Sequence, residues 1–494
     1  MNIDYSVPFN RHAWTDSEAI VQLVDTIFTS LPSKTQQELV GRSNNKGSMG
    51  VKDILRIVLT NLYTTYRSDP KLSTGFARKY TDWTVKDRYN GQGIPRKIVD
   101  VVDALKKARY LRYEPGKSQK VGDDVNKRSR IQPTKKLMDL FNQLDVTSGR
   151  IINNHKRETI LLRDKDADSE STLSIKYEDT PATIRMRKVL ESYNEMMQRH
   201  HVDVASLRKP IYVREHTNDK GEAIKELIPI GPDHMFTYRV FSRGDTTFRK
   251  HGRWYGGFWQ RLPKKRVDLR KDIYIDGEPI DEIDFSGLHP TLLALEHGKV
   301  LKGDKYDLGW HVVESIPYTK QRMIVKELVL IAINVRSKSE AYAAYNGQNK
   351  DKPLAHAELD QLLAAFIEKY PFLRGELCSD KGIDLMYTDS QITQAVIKRF
   401  VEVDKPILPI HDSYIVKQTD RNFLKLIMKD ACNEVLGHTL PFESEFDEVQ
   451  QHVIHATHYK HTDYDYYQSV LSKHKTKESK LYWKRYQLWK EEYP

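Results

Sequence analysis

Cysteine is nearly absent: Cys378 and Cys432 are the only two in 494 residues. Two thiols build no disulfide framework and form no Cys-x-x-Cys pair, which is the usage of a reducing compartment. Long apolar runs are missing too, and none approaches the ~18 residues that a membrane-spanning helix needs. The opening MNIDYSVPFNRHAW has neither the basic start nor the apolar centre of a signal peptide. These absences set the expectation of a cytoplasmic protein with no membrane partner. Glycine, at 24, and proline, at 20, are too sparse for a collagen-like or low-complexity chain. What is present is 39% hydrophobic and 30% charged residues, a composition that folds. The length suits two to four domains of ~100–200 residues each.

Acidic side chains are the minority, 68 against 79 Lys and Arg, for a formal charge of +11. Residues 1–150 hold 26 basic and 16 acidic side chains, so almost the whole excess sits in the first third. A second basic stretch, 241–270, carries nine basic and two acidic residues interleaved with Phe248, Trp254, Tyr255, Phe258 and Trp259. Basic side chains release counterions from phosphates and aromatic rings stack on bases, so Arg253, Trp254, Tyr255 and Trp259 are candidate nucleic-acid contacts. The plainer reading is a solvated surface beside core aromatics.

Apolar spacing predicts helices within 17–41 and 51–68, and another after Pro95. A short strand at Tyr110–Tyr113, a polar basic hairpin from Glu114 to Arg130 and a helix in TKKLMDLFNQL follow. Helices, a strand, a basic wing and a returning strand outline a winged helix, with Arg128 and Arg130 as candidate DNA contacts. Residues 149–235 read as a connecting region and 236–450 as a mixed region of strands and long helices. Asp276-Gly277 marks a hairpin turn there. A His-, Tyr- and Trp-rich tail covers 451–494. Its His452, His455, His458 and His461 recur every three residues, but without cysteine or an i,i+4 pair they make a poor zinc site.

Three segments carry the chemistry. IDEIDFSGLHPTLL puts Asp284 at the end of an apolar strand, before a Ser-Gly turn into a helix. YTKQRMIVKELVLIAINVR reads as a helix with Arg322, Lys326, Leu330 and Asn334 at four-residue steps along one face. ILPIHDSYIV puts Asp412 at the tip of an apolar hairpin. Either acid alone would be an ordinary turn residue, and the helix alone a solvated face. A carboxylate ending a buried strand is costly unless paired or bound to a cation. Two of them with a basic helix stripe between suit phosphoryl transfer on Mg2+, or Mn2+ in its place, the metals held by Asp284 and Asp412. Arg322 and Lys326 would neutralise a triphosphate.

In this order the segments resemble motifs A, B and C of the palm-and-fingers polymerases that unite family A DNA polymerases with single-subunit phage-type RNA polymerases. Asp284-Phe285-Ser286, Arg322-x3-Lys326 and His411-Asp412 carry the resemblance, which covers 236–420; nothing before it looks like a proofreading exonuclease domain. It implies an α+β fold, a right-hand palm and fingers behind an N-terminal winged-helix region. It also implies template-directed nucleotidyl transfer from nucleoside triphosphates on a nucleic-acid template and primer, as a polymerase or primase of a phage, plasmid or other mobile element. Asp284, Asp412 and Lys326 become the catalytic residues, with Lys326 a candidate to protonate pyrophosphate. The carbonyl of Phe285 would complete a metal sphere, and His411 would touch the primer. His289 and Asn334 stand where these families place their sugar-sensing residues, and Ser413 follows the RNA polymerase pattern. The alternative is a non-catalytic replication initiator that binds DNA and keeps a degenerate palm.

Overall fold

The computed structural model describes residues 5–41, 49–79, 82–83, 87–116, 129–144, 151–152, 156–165, 172–217, 223–264, 268–444 and 476–492. Arg128 and the four tail histidines lie outside these. Strands β1 (Ser6–Pro8) and β2 (Trp14–Thr15) precede α1 (Glu18–Ser30), α2 (Ser33–Val40) and α3 (Val51–Ser68). Helix α1 buries Ile20, Leu23, Val24 and Ile27, the i, i+3, i+4, i+7 stripe that makes it amphipathic. Then come β3 (Ser73–Phe76), α4 (Ile98–Lys107), β4 (Leu111–Glu114), β5 (Ser129–Pro133) and α5 (Lys135–Phe141). The sheet order is β1-β3-β5-β4, with β5 antiparallel to both its neighbours. The predicted strand and its return are therefore paired, and Arg130 lies on β5 opposite Glu114. These elements enclose a core of their own around Ile54, Leu62, Val102 and Ile131.

A second, larger core begins in the segment expected to be a connection. β6 (Ile151–Ile152) pairs back to β2. β7 (Ile160–Lys165), β8 (Thr172–Ser174), α6 (Pro181–Met197), β9 (Val202–Val204), β10 (Ile211–Thr217) and β11 (Ala223–Pro229) follow. Helix α6 starts at a Thr180 cap whose hydroxyl accepts the Thr183 N–H, with Pro181 in the first turn. Ile160, Leu162, Leu190 and Tyr193 share one core with residues out to Leu440. Ile160, Leu190, Val202 and Ile228 thus share the core of the strands that follow, because their apolar faces are long enough to need burial, while Ile211 and Leu227 pack with Leu72.

The rest comprises β12 (Tyr238–Phe241), β13 (His251–Tyr255), β14 (Ile273–Ile275), β15 (Glu278–Phe285), α7 (Leu288–Glu296), α8 (Tyr318–Ala332), α9 (Lys338–Gln348), α10 (His356–Lys369), α11 (Gly382–Glu402), β16 (Leu408–Ile410), β17 (Ser413–Lys417), α12 (Arg421–Leu436), β18 (Phe442–Ser444) and α13 (Lys480–Glu492). One sheet runs β13-β12-β7-β8; another runs β16-β17-β15-β14-β9, with β18 on β15 as well. Asp276 and Gly277, at φ 52° and 81°, make the expected two-residue turn between β14 and β15. Among the described residues no helix is long and apolar enough to cross a membrane.

Candidate active site

Strands β15 and β17 set the two acids side by side. Their register pairs Ile283 with Tyr414 and Asp284 with Ser413, and the Phe285 N–H donates to the Asp412 carbonyl at 3.2 Å. Ile283 and Phe285 alternate into the core, Phe285 against the Tyr414 ring, so Asp284 faces the opposite side. Asp412 follows His411, whose φ of 54° makes the tight reversal between β16 and β17. On the other flank of β15, Glu443 of β18 pairs with Asp284. Beneath, Glu282 is buried and accepts from Ser413 Oγ at 3.0 Å.

Both acids line a cleft of about 400 Å³ with Arg322, Lys326, His289, Asn334 and Arg253. Asp284 opens to water at the cleft floor while protein surrounds it on the other sides. That partial burial, then the charge of Asp412 and of Glu282, pushes its carboxyl up to about 7, against the pull of Lys264 and Lys326. Two carboxylates held this way repel each other, and a cation between them relieves the repulsion. Among the described residues no cluster of three or more His, Cys, Asp or Glu side chains could hold a metal. The donor set is a two-carboxylate one, which suits Mg2+ or Mn2+ completed by water and phosphate oxygens.

Helix α8 presents Arg322 and Lys326 one turn apart on the cleft side. Lys326 Nζ lies 5.8 Å above the Tyr306 ring, and Arg322 pairs with Asp304. Asn334 departs from expectation: α8 ends at Ala332, and the Asn334 amide donates back to the Leu330 carbonyl at 2.7 Å. It packs against Gly382, where there is no room for a Cβ.

Arg253, on β13, is the hub of the cleft wall. Its Nε donates to Asp389 Oδ2 at 2.8 Å and its Nη2 to His289 Nε2 at 3.1 Å. Asp389, on α11, is 1% exposed, and burial pushes its carboxyl up to about 7 while Arg253 opposes the shift. His289 is driven down to about 3 by burial and then by Arg253, so it stays neutral and accepts. Burial and then Arg253 likewise lower His411 to about 4, its ring edge-on to Tyr255 at 5.3 Å. Tyr255 also bonds His251 Nε2 at 2.9 Å. Behind them, fully buried Arg239 donates to Gly252 O, Gln394 Oε1 and Ser390 Oγ at 2.7–2.8 Å, and burial lowers it to about 9. Gly252, at φ 78°, passes so close to α11 that an added Cβ would lie 2.8 Å from Ser390 Oγ.

Two expectations fail here. Trp254 and Trp259 are 1% and 0% exposed and belong to the core, Trp259 Nε1 donating to the Pro409 carbonyl at 3.0 Å. Neither presents a face to a base; Trp259 instead braces the hairpin that carries Asp412, and Trp254 packs against Tyr193 and Arg239. The alternation Gly252-Arg253-Trp254-Tyr255 already put Trp254 on the face opposite Arg253, a signal the composition hid. Asp304, Lys305, Tyr306 and Glu443 line the cleft and escaped the sequence reading, as did Asp389, buried behind its wall. Lys305 is 4% exposed and donates to Ser286 Oγ at 3.1 Å, and Ser286 donates to Glu443 Oε1 at 2.7 Å. Only Asp389 left a trace, an acid on the apolar stripe of a helix.

No protein-family model and no curated protein sequence matches the chain. Among solved structures, the chain is similar to the POL domain of Pol1 from M. smegmatis, solved in complex with DNA primer-template and dNTP. The two are 12% identical with a TM-score of 0.27, and the match covers 39% of this chain and 45% of that one. The chain therefore spans less than half the length of that structure, and a likeness this slight carries no argument.

Proposed function

We propose that the chain is a template-directed nucleotidyltransferase, a nucleic-acid polymerase or primase acting on nucleoside triphosphates. The observation that supports this most is the pairing of Asp284 with Asp412 across two hydrogen-bonded strands, in a cleft that also receives Arg322 and Lys326. The two carboxylates are assigned to Mg2+, or Mn2+, which when bound supplies charge neutralisation for phosphoryl transfer. The Phe285 side chain is core, so only its carbonyl is left for that site. Arg322 is suited to bidentate contact with the triphosphate, and Lys326 to opposing its charge and giving a proton from Nζ to the departing pyrophosphate. Arg253 holds neutral His289 toward the sugar edge, and Asn334 lines the same cleft with one amide N–H committed to Leu330. His411 and Tyr255 stand beside Asp412 where a primer end would lie.

The N-terminal unit supports a winged-helix reading. Strand order β3-β5-β4 with α4 just ahead of β4 is the arrangement in which a helix meets a DNA groove and the β4–β5 hairpin flanks it. Arg130 stays a candidate contact there.

The test is Mg2+-dependent incorporation of labelled nucleotide on a primed template, with ribo- and deoxyribonucleotides supplied separately. Template-dependent products that vanish with EDTA support the proposal. DNA binding with no incorporation under either pool would return the chain to the non-catalytic initiator reading.

A further inference from the structure

In the short segment Gly303–Asp307, the residues from Gly303 to Tyr306 line the cleft. The Oδ1 of Asp304 accepts the backbone N–H of Tyr306 at 2.9 Å and of Asp307 at 3.3 Å, so the segment folds around this carboxylate. Its other oxygen, Oδ2, pairs with Arg322 Nε. Lys305 turns inward to Ser286, and Tyr306 lies under Lys326. One oxygen thus shapes the loop while the other occupies the guanidinium assigned above to the triphosphate.

We infer that Asp304 is a stand-in anion, seated on Arg322 where the triphosphate belongs and exchanged for it when a nucleotide enters. This rests on the proposed function. The chemistry is shared: a guanidinium donates to carboxylate and phosphate oxygens in the same geometry. The pair is also built to exchange. Arg322 and Asp304 are 53% and 35% exposed, so water can replace each partner as the bond opens. The Arg253–Asp389 pair, 14% and 1% exposed, has no such route. A triphosphate carries several negative charges against one on Asp304, so it wins the competition. While the cleft is empty, Asp304 keeps Arg322 extended into it and discourages smaller anions. The consequence is a weaker apparent affinity for nucleotide than Arg322 alone would give.

Asp304→Asn separates the two roles, since the amide oxygen still accepts both backbone N–H groups while the charge is gone. The measurement is displacement of trinitrophenyl-ATP from the full chain by ATP, with Ca2+ in place of a catalytic metal. Asp304→Asn should lower the Kd for ATP about threefold, within the roughly fivefold that an exposed ion pair controls. The gain should vanish when Arg322→Ala is also present. Asp307→Asn, which removes the same charge from the same segment without freeing Arg322, should not reproduce it. A Kd in Asp304→Asn no lower than wild type overturns the inference and leaves the proposed function standing. So does an equal gain in Asp307→Asn, or one that survives in Arg322→Ala. If wild type and variants alike bind no trinitrophenyl-ATP, the proposed function falls and the inference with it.

Discussion

In the N-terminal unit the pairs Arg78–Asp103 and Lys52–Asp25 face water, whereas the wall behind the cleft rests on buried charge. Arg78–Asp103 leaves both side chains at least one-third exposed, and Lys52–Asp25 more than half. Beside the acids, Arg253–Asp389 is buried on the carboxylate side, Glu282 sits under Ser413, and Arg239 is sealed behind both. Diffuse surface charge attracts a polyanion without fixing its position, whereas buried, hydrogen-bonded charge holds a few atoms in place. Under the proposed function the first region would find nucleic acid and the second would carry out chemistry on it.

The sharpest way to break this contrast is to remove an acid. Asp284→Ala or Asp412→Ala should reduce incorporation by about a hundredfold or more, the scale of losing metal-based stabilisation, while duplex binding stays near wild type. A variant keeping a tenth of the activity would mean that the strand-end pair is not the centre. Asp389→Ala tests the buried wall: it strands Arg253 and should destabilise the chain by about 3 kcal/mol in urea unfolding. Asp103→Ala, which breaks an exposed pair, should cost less than about 1 kcal/mol, and equal losses would erase the distinction. Arg322→Ala and Lys326→Ala should each raise the KM for nucleotide about tenfold and lower kcat, with no change in the salt dependence of duplex binding.

On the other side of the comparison, Lys107→Ala with Arg112→Ala should leave nucleotide KM alone. It should reduce the log–log salt slope of duplex binding by about 0.9 for each phosphate that the pair neutralises in wild type. Unchanged slopes would take the α4–β4 surface out of the interface. The smallest effect lies at the seam between the two regions, where buried Asp69 accepts from Lys209, the Lys71 N–H and Tyr5. Burial alone would raise its carboxyl, but these bonds outweigh it and leave it lowered. A lowered carboxyl stabilises the fold above its unfolded pKa, and the benefit disappears as pH falls through the folded value. Wild type should therefore melt above Asp69→Asn at pH 7 and converge with it below about pH 4. Parallel melting curves across that range would deny Asp69 the role.

The parts legible in the sequence were those whose causes are local. The Asp276-Gly277 turn, the alternation leading to Asp284 and the hairpin tip at Asp412 are each fixed within a few residues. The end of α8 was not legible, since no proline or glycine follows Ala332. It is set from outside, where the Cys378 N–H takes the Ala332 carbonyl and the Gly382 N–H takes that of Ile333. Trp254 and Trp259 misled because aromatics among basic residues have the same composition inside or out. Asp389 left only the trace of an acid on an apolar helix stripe, and its role was hidden because its partner lies 136 residues away in sequence.

Helix α13 has a consequence in time. It covers the edge strand β9: the Ser479 N–H ahead of it donates to Ala205 O, Arg485 to Asp203 Oδ2, and the Tyr486 hydroxyl to Asp276 O, all at 2.7 Å. Tyr486 stands 210 residues after Asp276, so a ribosome moving at about 5–20 residues per second delivers the cover roughly 10–40 s after the turn it closes. The strands carrying the paired acids are complete before then, with the outer side of β9 not yet covered. During that interval the nascent sheet is open to pairing with a neighbouring chain on the same message, which makes translation speed through the last stretch a determinant of soluble yield.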